Sequence, residues 1–316
     1  MYYVGKRLLT ALLVLLLASV VIFTLLRLAP GNPAVILAGQ DATPAQVAAV
    51  ARSMGLEGSL PAQYWRWLSG LLTGHPGQSY ILKQGIGSLI GQRIGSTVQL
   101  LIAATLVMAV LGTVLGVLAA GARRGVAAVV DFIATLALAT PPFVSSIIFI
   151  FLFAVTLPLL PAGGQVSFLA NPSFSVQYLL MPSVAAALPG AAVIARLLAT
   201  EMRRVLREEF TRTATAKGAS RRRLLILHVL PNSIGPAVVE LGIRIGELFA
   251  GAVVVEAIFA RSGLGSLLVT AVQDRDYVLA QDLLLLSVAF AILMQQLTEI
   301  GMSRVDRRLA FGPVTS

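Results

Sequence analysis

The stretch VQLLIAATLVMAVLGTVLGVLAAG, residues 98–121, carries no charged side chain. At about 1.5 Å of rise per helical residue it is long enough to cross the roughly 30 Å of hydrocarbon in a bilayer. Five further long, predominantly apolar runs stand at 8–28, 132–157, 179–198, 234–258 and 283–302. Together they predict an all-α polytopic membrane protein with six transmembrane helices. The composition agrees: among 316 residues, 57% are hydrophobic and only 12% charged, about half the charge of a soluble domain. A single water-soluble core is excluded. The first run follows Lys6 and Arg7 as a secretory signal would, but it is longer than a usual signal core. It also ends in Arg27-Leu28-Ala29-Pro30, a poor cleavage site, and is read as a permanent span.

Lys and Arg exceed Asp and Glu by 24 to 14, a net charge of +10. In a soluble protein this excess would point to nucleic acid. Here the basic residues sit between apolar runs, where they signal topology instead. One set of loops holds Lys6, Arg7, Arg123, Arg124, eight basic residues between positions 203 and 223, and Arg304, Arg307 and Arg308. The opposite set holds only Arg52, Arg66, Lys83, Arg93, Arg261 and Arg275. Cytoplasmic loops retain positive charge, so both termini are expected in the cytoplasm. The chain has no Cys and only two His, His75 and His228. Thiolate chemistry is excluded, a zinc centre is not expected, and no catalytic or metal-binding residues are assigned.

Two polar excursions interrupt the apolar pattern. In the outer one, residues 31–96, Thr43 is placed to cap a helix opened by Pro44, and Pro61 opens an aromatic helix through Tyr64, Trp65 and Trp67. Those rings are expected at the membrane interface. Gly87, Gly91 and Gly95 repeat every four residues and predict close helix packing. In the inner excursion, residues 202–233, apolar side chains alternate with charges. A short helix over 208–217, a break at Gly218 and a Ser220 cap predict a helix-turn-helix knob, with Pro231 ending its second helix.

The inner excursion contains Arg212-Thr213-Ala214-Thr215-Ala216-Lys217-Gly218, followed by Leu230-Pro231. This resembles the EAA loop of ABC importer permeases, in the form used by the B-type subunit of the dipeptide, oligopeptide and nickel branch. Pro30-Gly31-Asn32-Pro33, Gln63-Tyr64-x-x-Trp67-Leu68 and Gly74-x-x-Gly77-x-Ser79 extend the similarity toward the N-terminus. Thr97-x-x-Leu100, Pro141-x-Phe143, Ala195-Arg196-Leu197, Glu256-x-x-Phe259-x-x-x-Gly263-Leu264-Gly265 and Arg275-Asp276-Tyr277 carry it through the rest. The chain departs from the family pattern at Asn32, at Val278 and at Asp306-Arg307-Arg308.

The resemblance implies a type I ABC importer permease fold and residence in a bacterial or archaeal cytoplasmic (inner) membrane. It implies four kinds of partner: a second homologous permease forming a heterodimer, two ATP-binding subunits, an extracytoplasmic solute-binding protein and membrane lipid. Nucleic acid is not among them. The sequence has no Gly-x-x-x-x-Gly-Lys-[Ser/Thr] phosphate-binding loop: of its three lysines only Lys6 directly follows a glycine, and Arg7 stands after it where the motif needs Ser or Thr. ATP and Mg would therefore reside on the partner ATPase subunits, and this chain would be a non-catalytic transport subunit. Glu208, Glu209, Arg212, Thr213, Ala214, Lys217 and Gly218 are the residues expected to couple to the ATPase. The solute would be a peptide or a similar small molecule, with nickel, glutathione-like peptides and oligosaccharides also compatible with the family.

The fifth apolar run is unusual in carrying Glu240, Arg244, Glu247 and Glu256. Charge within the hydrocarbon costs about 2.5–3.5 kcal/mol per residue on insertion scales. Spacings of four and three place Glu240, Arg244 and Glu247 on one helical face. They either line the translocation path or pair internally to stabilise packing. An ion-coupled secondary transporter using these three residues is the alternative function. Against it stand the knob, which such a mechanism does not need, and the absence of an inverted repeat. A membrane hydrolase lacks any suitable catalytic constellation. Gly112-x-x-x-Gly116 and Gly242-x-x-x-Gly246 predict close helix approach, and Pro141-Pro142 and Pro189 predict interruptions of the third and fourth spans. Arg196 and Glu201 read as interfacial residues that extend their charges to the headgroups. The expected division is 1–30 for the first span, 31–96 for the outer insertion, 97–304 for a five-helix core with its loop at 202–233, and 305–316 for a cytoplasmic tail.

Overall fold

The computed structural model describes residues 2–28, 33–39 and 41–305, with side chains described for all of these except 2–4, 33 and 299–305. Pro30, Gly31 and Asn32 of the motif after the first run, and residues 306–316 of the C-terminal tail, lie outside the described residues. The chain is helical throughout, and among the described residues no strand forms beyond one isolated bridge between Gln78 and Gly85. In order, the helices are α1 (Tyr2–Leu28), α2 (Pro33–Ala38), α3 (Pro44–Ser53), α4 (Leu60–Leu72), α5 (Ile86–Gly121), α6 (Arg124–Ala139) and α7 (Pro142–Phe149). There follow α8 (Pro172–Val205), α9 (Glu209–Ala216), α10 (Arg221–Arg223), α11 (Leu230–Ile258), α12 (Leu264–Gln273) and α13 (Tyr277–Val305). Wider π-helical turns extend α7 through Ile150–Thr156 and join α10 to α11 through Leu224–Val229.

Four helices among the described residues are long and apolar enough to cross a membrane: Gly5–Leu28, Ile86–Gly121, Pro172–Val205 and Tyr277–Thr298. The third apolar run is interrupted at Pro141-Pro142, as its prolines predict. Arg124–Ala139 and Pro142–Thr156 meet at a bend of 106°. Thr140, the residue before Pro141, is extended with ψ 112°. The proline ring disfavours helical backbone at the residue preceding it and supplies no N–H to continue the ladder. Counted as one broken span, this pair makes a fifth. α11 is long enough at 29 residues, but its four charges set it apart from the purely apolar helices.

Pro189 does not interrupt α8, contrary to expectation. The helix runs unbroken through both Pro182 and Pro189. Its central turns are packed on nearly all sides, with Ala185, Ala187, Ala191 and Ala192 each at most 1% exposed. Burial in protein is the setting in which an interior proline is tolerated. Pro231 likewise fails to end a helix, because α10, the π turns and α11 follow one another without a break. The π turns widen the coil ahead of the proline and relieve its ring of the usual clash with the preceding turn. Asn232 Nδ2 and Ser233 Oγ then bond the carbonyls of His228 and Val229, at 2.7 and 2.8 Å.

The chain divides into two compact units: Met1–Gly95 with Ser262–Phe290, and Ser96–Arg261 with Ala291–Ser316. In the first, α3 begins with the expected box. Gln46 N–H donates to Thr43 Oγ1 at 3.3 Å, and Thr43 N–H donates to Gln46 Oε1 at 2.7 Å. The aromatic helix α4 lies on α1: Tyr64 meets Phe23 edge-on at 5.4 Å, Trp67 stacks on Phe23 at 6.0 Å, and Ser19 Oγ lies 2.8 Å from Tyr64 OH. Tyr64 and Trp67 are thus packed within the unit and partly covered, while Trp65 is 65% exposed. Phe23 of α1 is the partner of both rings, a contact that sequence spacing could not reveal. Gly91 and Gly95 also depart from expectation, since a Cβ on either would meet nothing within 4 Å.

In the second unit the glycine pairs mark real contacts. A Cβ on Gly112 would stand 2.7 Å from Ile194 Cγ2, and one on Gly116 would stand 3.0 Å from the Ala195 carbonyl, so α5 and α8 touch along backbone. Gly242 meets Thr298 of α13 in the same way. These close approaches fix the helices that carry the charged residues described next.

Candidate functional site

The inner excursion folds as a knob whose boundaries follow from local chemistry. Glu208 is the cap residue of α9, and Thr211, 2% exposed, turns its hydroxyl onto the carbonyls of Leu206 and Glu208 at 2.9 and 2.6 Å. At the other end Gly218 takes φ +82°. Gly218 N–H donates to the Thr215 carbonyl at 3.0 Å and Ala219 N–H to the Ala214 carbonyl at 3.1 Å, which closes the helix in a Schellman motif. Ser220 then caps α10, accepting from Arg223 N–H at 3.4 Å. Thus Glu208, Glu209, Arg212, Thr213, Ala214, Lys217 and Gly218 fall on one short helix and its turn. All of them but the half-buried Ala214 are exposed. Phe210 is 44% exposed on the same helix, and a cavity of about 420 Å³ opens beside it, lined by Leu206, Thr211, Arg212, Thr215, Ala216 and Leu224.

On α11 the three charges pair as their spacing allows. Arg244 Nη2 lies 2.6 Å from Glu240 Oε1, and Arg244 Nη1 lies 2.6 Å from Glu247 Oε2. The guanidinium is divided between two carboxylates, so the set carries one net negative charge. Glu240 and Arg244 are partly covered, with 19% and 30% of the side chain exposed, whereas Glu247 is 59% exposed. Gly190 of α8 makes room beside them, since a Cβ there would stand 3.6 Å from Arg244 Cβ and closer still to Met108.

The fourth charge of α11 is in a different setting. Glu256 is fully buried and accepts from Thr97 Oγ1 at 2.7 Å. Arg261, 1% exposed, follows a helix end in which Ala260 adopts φ +49° and Arg261 N–H returns to the Glu256 carbonyl at 2.9 Å. Its Nη2 makes only long bonds, 3.3–3.4 Å, to Ser96 and Gln99. Burial draws the Arg261 guanidinium below its ordinary pKa, and the Glu256 carboxylate draws it back up. The sequence singled out Glu256 as a costly charge, but not its hydrogen-bond donor Thr97, 159 residues away along the chain.

Other pairings were also beyond the reach of spacing. Arg196 pairs with a neighbouring helix: its Nε lies 3.0 Å from Asp131 Oδ1, and its Nη2 donates to Thr135 Oγ1 at 2.5 Å. Asp131 stands one residue before the third apolar run and was the available signal. In the first unit the two quoted motifs around Ser79 and Asp276 prove to be one structure. Ser79 Oγ donates to Asp276 Oδ2 at 2.5 Å while Leu279 N–H donates to Asp276 Oδ1 at 3.3 Å, capping α13. Tyr80 beside them is held above its ordinary pKa by burial and by the Asp276 carboxylate, with Arg27 acting weakly in the other direction. Trp67 Nε1 donates to Asp282 Oδ1 at 2.6 Å.

An all-helical chain with several apolar helices of membrane-spanning length is an integral membrane protein. Comparison with known families identifies the class further: residues 112–311 match the binding-protein-dependent transport system inner membrane component, and residues 1–101 match its N-terminal companion. The chain belongs to this family. It is 33% identical over 310 residues to a probable peptide ABC transporter permease of Sinorhizobium fredii, covering 98% of this chain and 99% of that protein. It is 33% identical over 309 residues to a putative peptide transport system permease of Brucella abortus, covering 95% and 97%. A glutathione transport system permease of Pectobacterium atrosepticum is 32% identical over 293 residues, covering 92% and 93%.

Proposed function

We propose that this chain is one of two permease subunits of an ATP-driven importer for peptides or similar small solutes, delivered by an extracytoplasmic binding protein. In this reading α1, α5, the bent α6–α7 pair, α8, α11 and α13 are six spans in a bacterial or archaeal inner membrane, and both termini face the cytoplasm. The excess of basic residues in the loops that include 202–233 supports that orientation. The proposed division keeps the first span at 1–30, the outer insertion at 31–96, the core at 97–304 and the tail at 305–316.

The observation that carries the reading is the knob. It presents an exposed amphipathic helix, Glu209–Ala216, with Phe210 uncovered and a Gly218 turn holding its end. A small rigid knob with an apolar side chain and a charged rim suits insertion into a cleft on an ATPase subunit. Glu208, Glu209, Arg212, Thr213, Ala214, Lys217 and Gly218 would make that contact, and ATP with Mg would sit on the two ATPase partners. Glu240, Arg244 and Glu247 would face the solute path. A charge set of this kind in hydrocarbon requires water or protein beside it. Ion-coupled transport through the same three residues has no feature of its own in its favour, because the arginine already occupies both carboxylates.

The experiment is affinity purification of the tagged chain from its own membranes in mild detergent, with mass spectrometry of what remains bound. Recovery of phosphate-loop ATPases and a second six-span permease supports the importer; recovery of a folded, monodisperse chain alone overturns it. Gly218→Leu or Ala214→Trp should then abolish ATP-dependent uptake without loss of folded protein.

A further inference from the structure

We propose that the groove at the junction of α5 and α10 binds an anionic glycerophospholipid of the inner leaflet, with its phosphate on Arg221 and Arg222 and an acyl chain along the apolar wall. The proposal rests on the reading that the loop 202–233 faces the cytoplasm. The groove encloses about 320 Å³ and is walled by Val117 and Leu118 of α5 and by Leu225 and Ile226 of the π turns. Leu118 and Ile226 remain 49% and 43% exposed, so the wall is uncovered. Arg221 and Arg222 stand at the rim, and no acidic residue lines the groove.

The site is built by specific local features. The end of α5 is brought close to the π turns because Gly121 has no Cβ; one placed there would stand 2.6 Å from Leu225 Cδ1. Arg221 Nη2 donates to the Gly121 carbonyl at 2.6 Å, which fixes that guanidinium at the rim. Arg222 is exposed and has no hydrogen-bond or ion-pair partner among the described residues. Its charge is thus available to a ligand. An apolar wall that runs into two guanidiniums matches an amphiphile with an anionic head, and neither a free anion nor a zwitterionic lipid satisfies both parts as well. The widened π turns matter here, since they turn Leu225 and Ile226 toward α5 while Leu224 and Val229 stay buried.

The test uses the assembled transporter purified in detergent and equilibrated with equal amounts of phosphatidylglycerol and phosphatidylcholine of matched acyl chains. Native mass spectrometry counts the lipids held by this chain. Phosphatidylglycerol should be retained in preference, and Arg222→Gln should lower its retention about fivefold while leaving phosphatidylcholine unchanged, the effect expected of one guanidinium at a membrane surface. Equal retention of the two lipids, or retention indifferent to Arg222→Gln, overturns the proposal. So does loss of ATPase subunits from Arg222→Gln with lipid retention intact, which would assign these arginines to a protein partner. Recovery of the chain without any ATPase counts against the importer reading, while the lipid count on this chain still decides the present one.

Discussion

Glu256→Gln tests how far a single buried charge holds the second unit together. Arg261, only 1% exposed, has contacts of 3.3–3.4 Å to neutral oxygens of Ser96 and Gln99, and its Nε has no partner. These bonds are too long to compensate a desolvated guanidinium. The Glu256 carboxylate acts on it electrostatically and partly opposes the effect of burial. Removing it leaves an uncompensated buried cation, at a cost of about 3 kcal/mol. Arg261→Met, which removes the cation while Glu256 keeps its bond from Thr97, should cost about the same. The double variant has neither charge and should lose about 3 kcal/mol rather than about 6, a coupling well above the ~0.5 kcal/mol limit of additive sites. Because the chain has no cysteine, a single Cys at Ala187, 0% exposed, would report unfolding through a thiol-reactive fluorophore in every variant. A loss of about 3 kcal/mol lowers the transition by about 6 °C or more. A Glu256→Gln midpoint within 1 °C of the parent, or strictly additive losses in the double variant, would refute the reasoning.

Three further outcomes are expected. Gly112→Ala places a Cβ against Ile194 and the Ala191 carbonyl and should cost about 2 kcal/mol by overpacking, whereas Gly91→Ala, which meets nothing within 4 Å, should be neutral or slightly stabilising in the same thermal assay. Trp67→Phe removes the indole N–H that donates to Asp282, a carboxylate 4% exposed, and should cost about 1–3 kcal/mol; an unchanged midpoint would show that the bond contributes nothing. Tyr80, held above its ordinary pKa by burial and Asp276, should ionise later than an exposed tyrosine in an alkaline absorbance titration. Its unfolded form loses the proton first, so stability is unaffected below about pH 10 and falls above it; Tyr80→Phe should remove that part of the loss.

Much of the local structure was legible because its causes lie within a few residues. The Thr43–Gln46 box, the Ser220 cap, the Gly218 turn and the i, i+4 pairing of Glu240 with Arg244 depend on neighbours in sequence, and all form as expected. Prolines were misjudged where packing intervened. Pro141 breaks its helix, but Pro189 and Pro231 do not, since a buried helix or a widened turn absorbs the missing hydrogen bond. Glycine spacing was informative at Gly112, Gly116 and Gly242 but not at Gly91 and Gly95, because the pattern marks a smooth face without saying what lies on it.

The sequence by itself determined that the chain spans a membrane, since apolar runs of hydrocarbon length admit no other solvent. Through its motifs it also determined the family. Only the tertiary structure decided which charge answers which: Thr97 with Glu256, Asp131 with Arg196, Ser79 with Asp276 and Trp67 with Asp282. The composition states that a buried charge must be compensated, a cost set by solvation. The identity of its partner, 65 to 215 residues distant, depends on which helices touch, and that follows from side-chain shape along whole faces rather than from any short stretch of sequence.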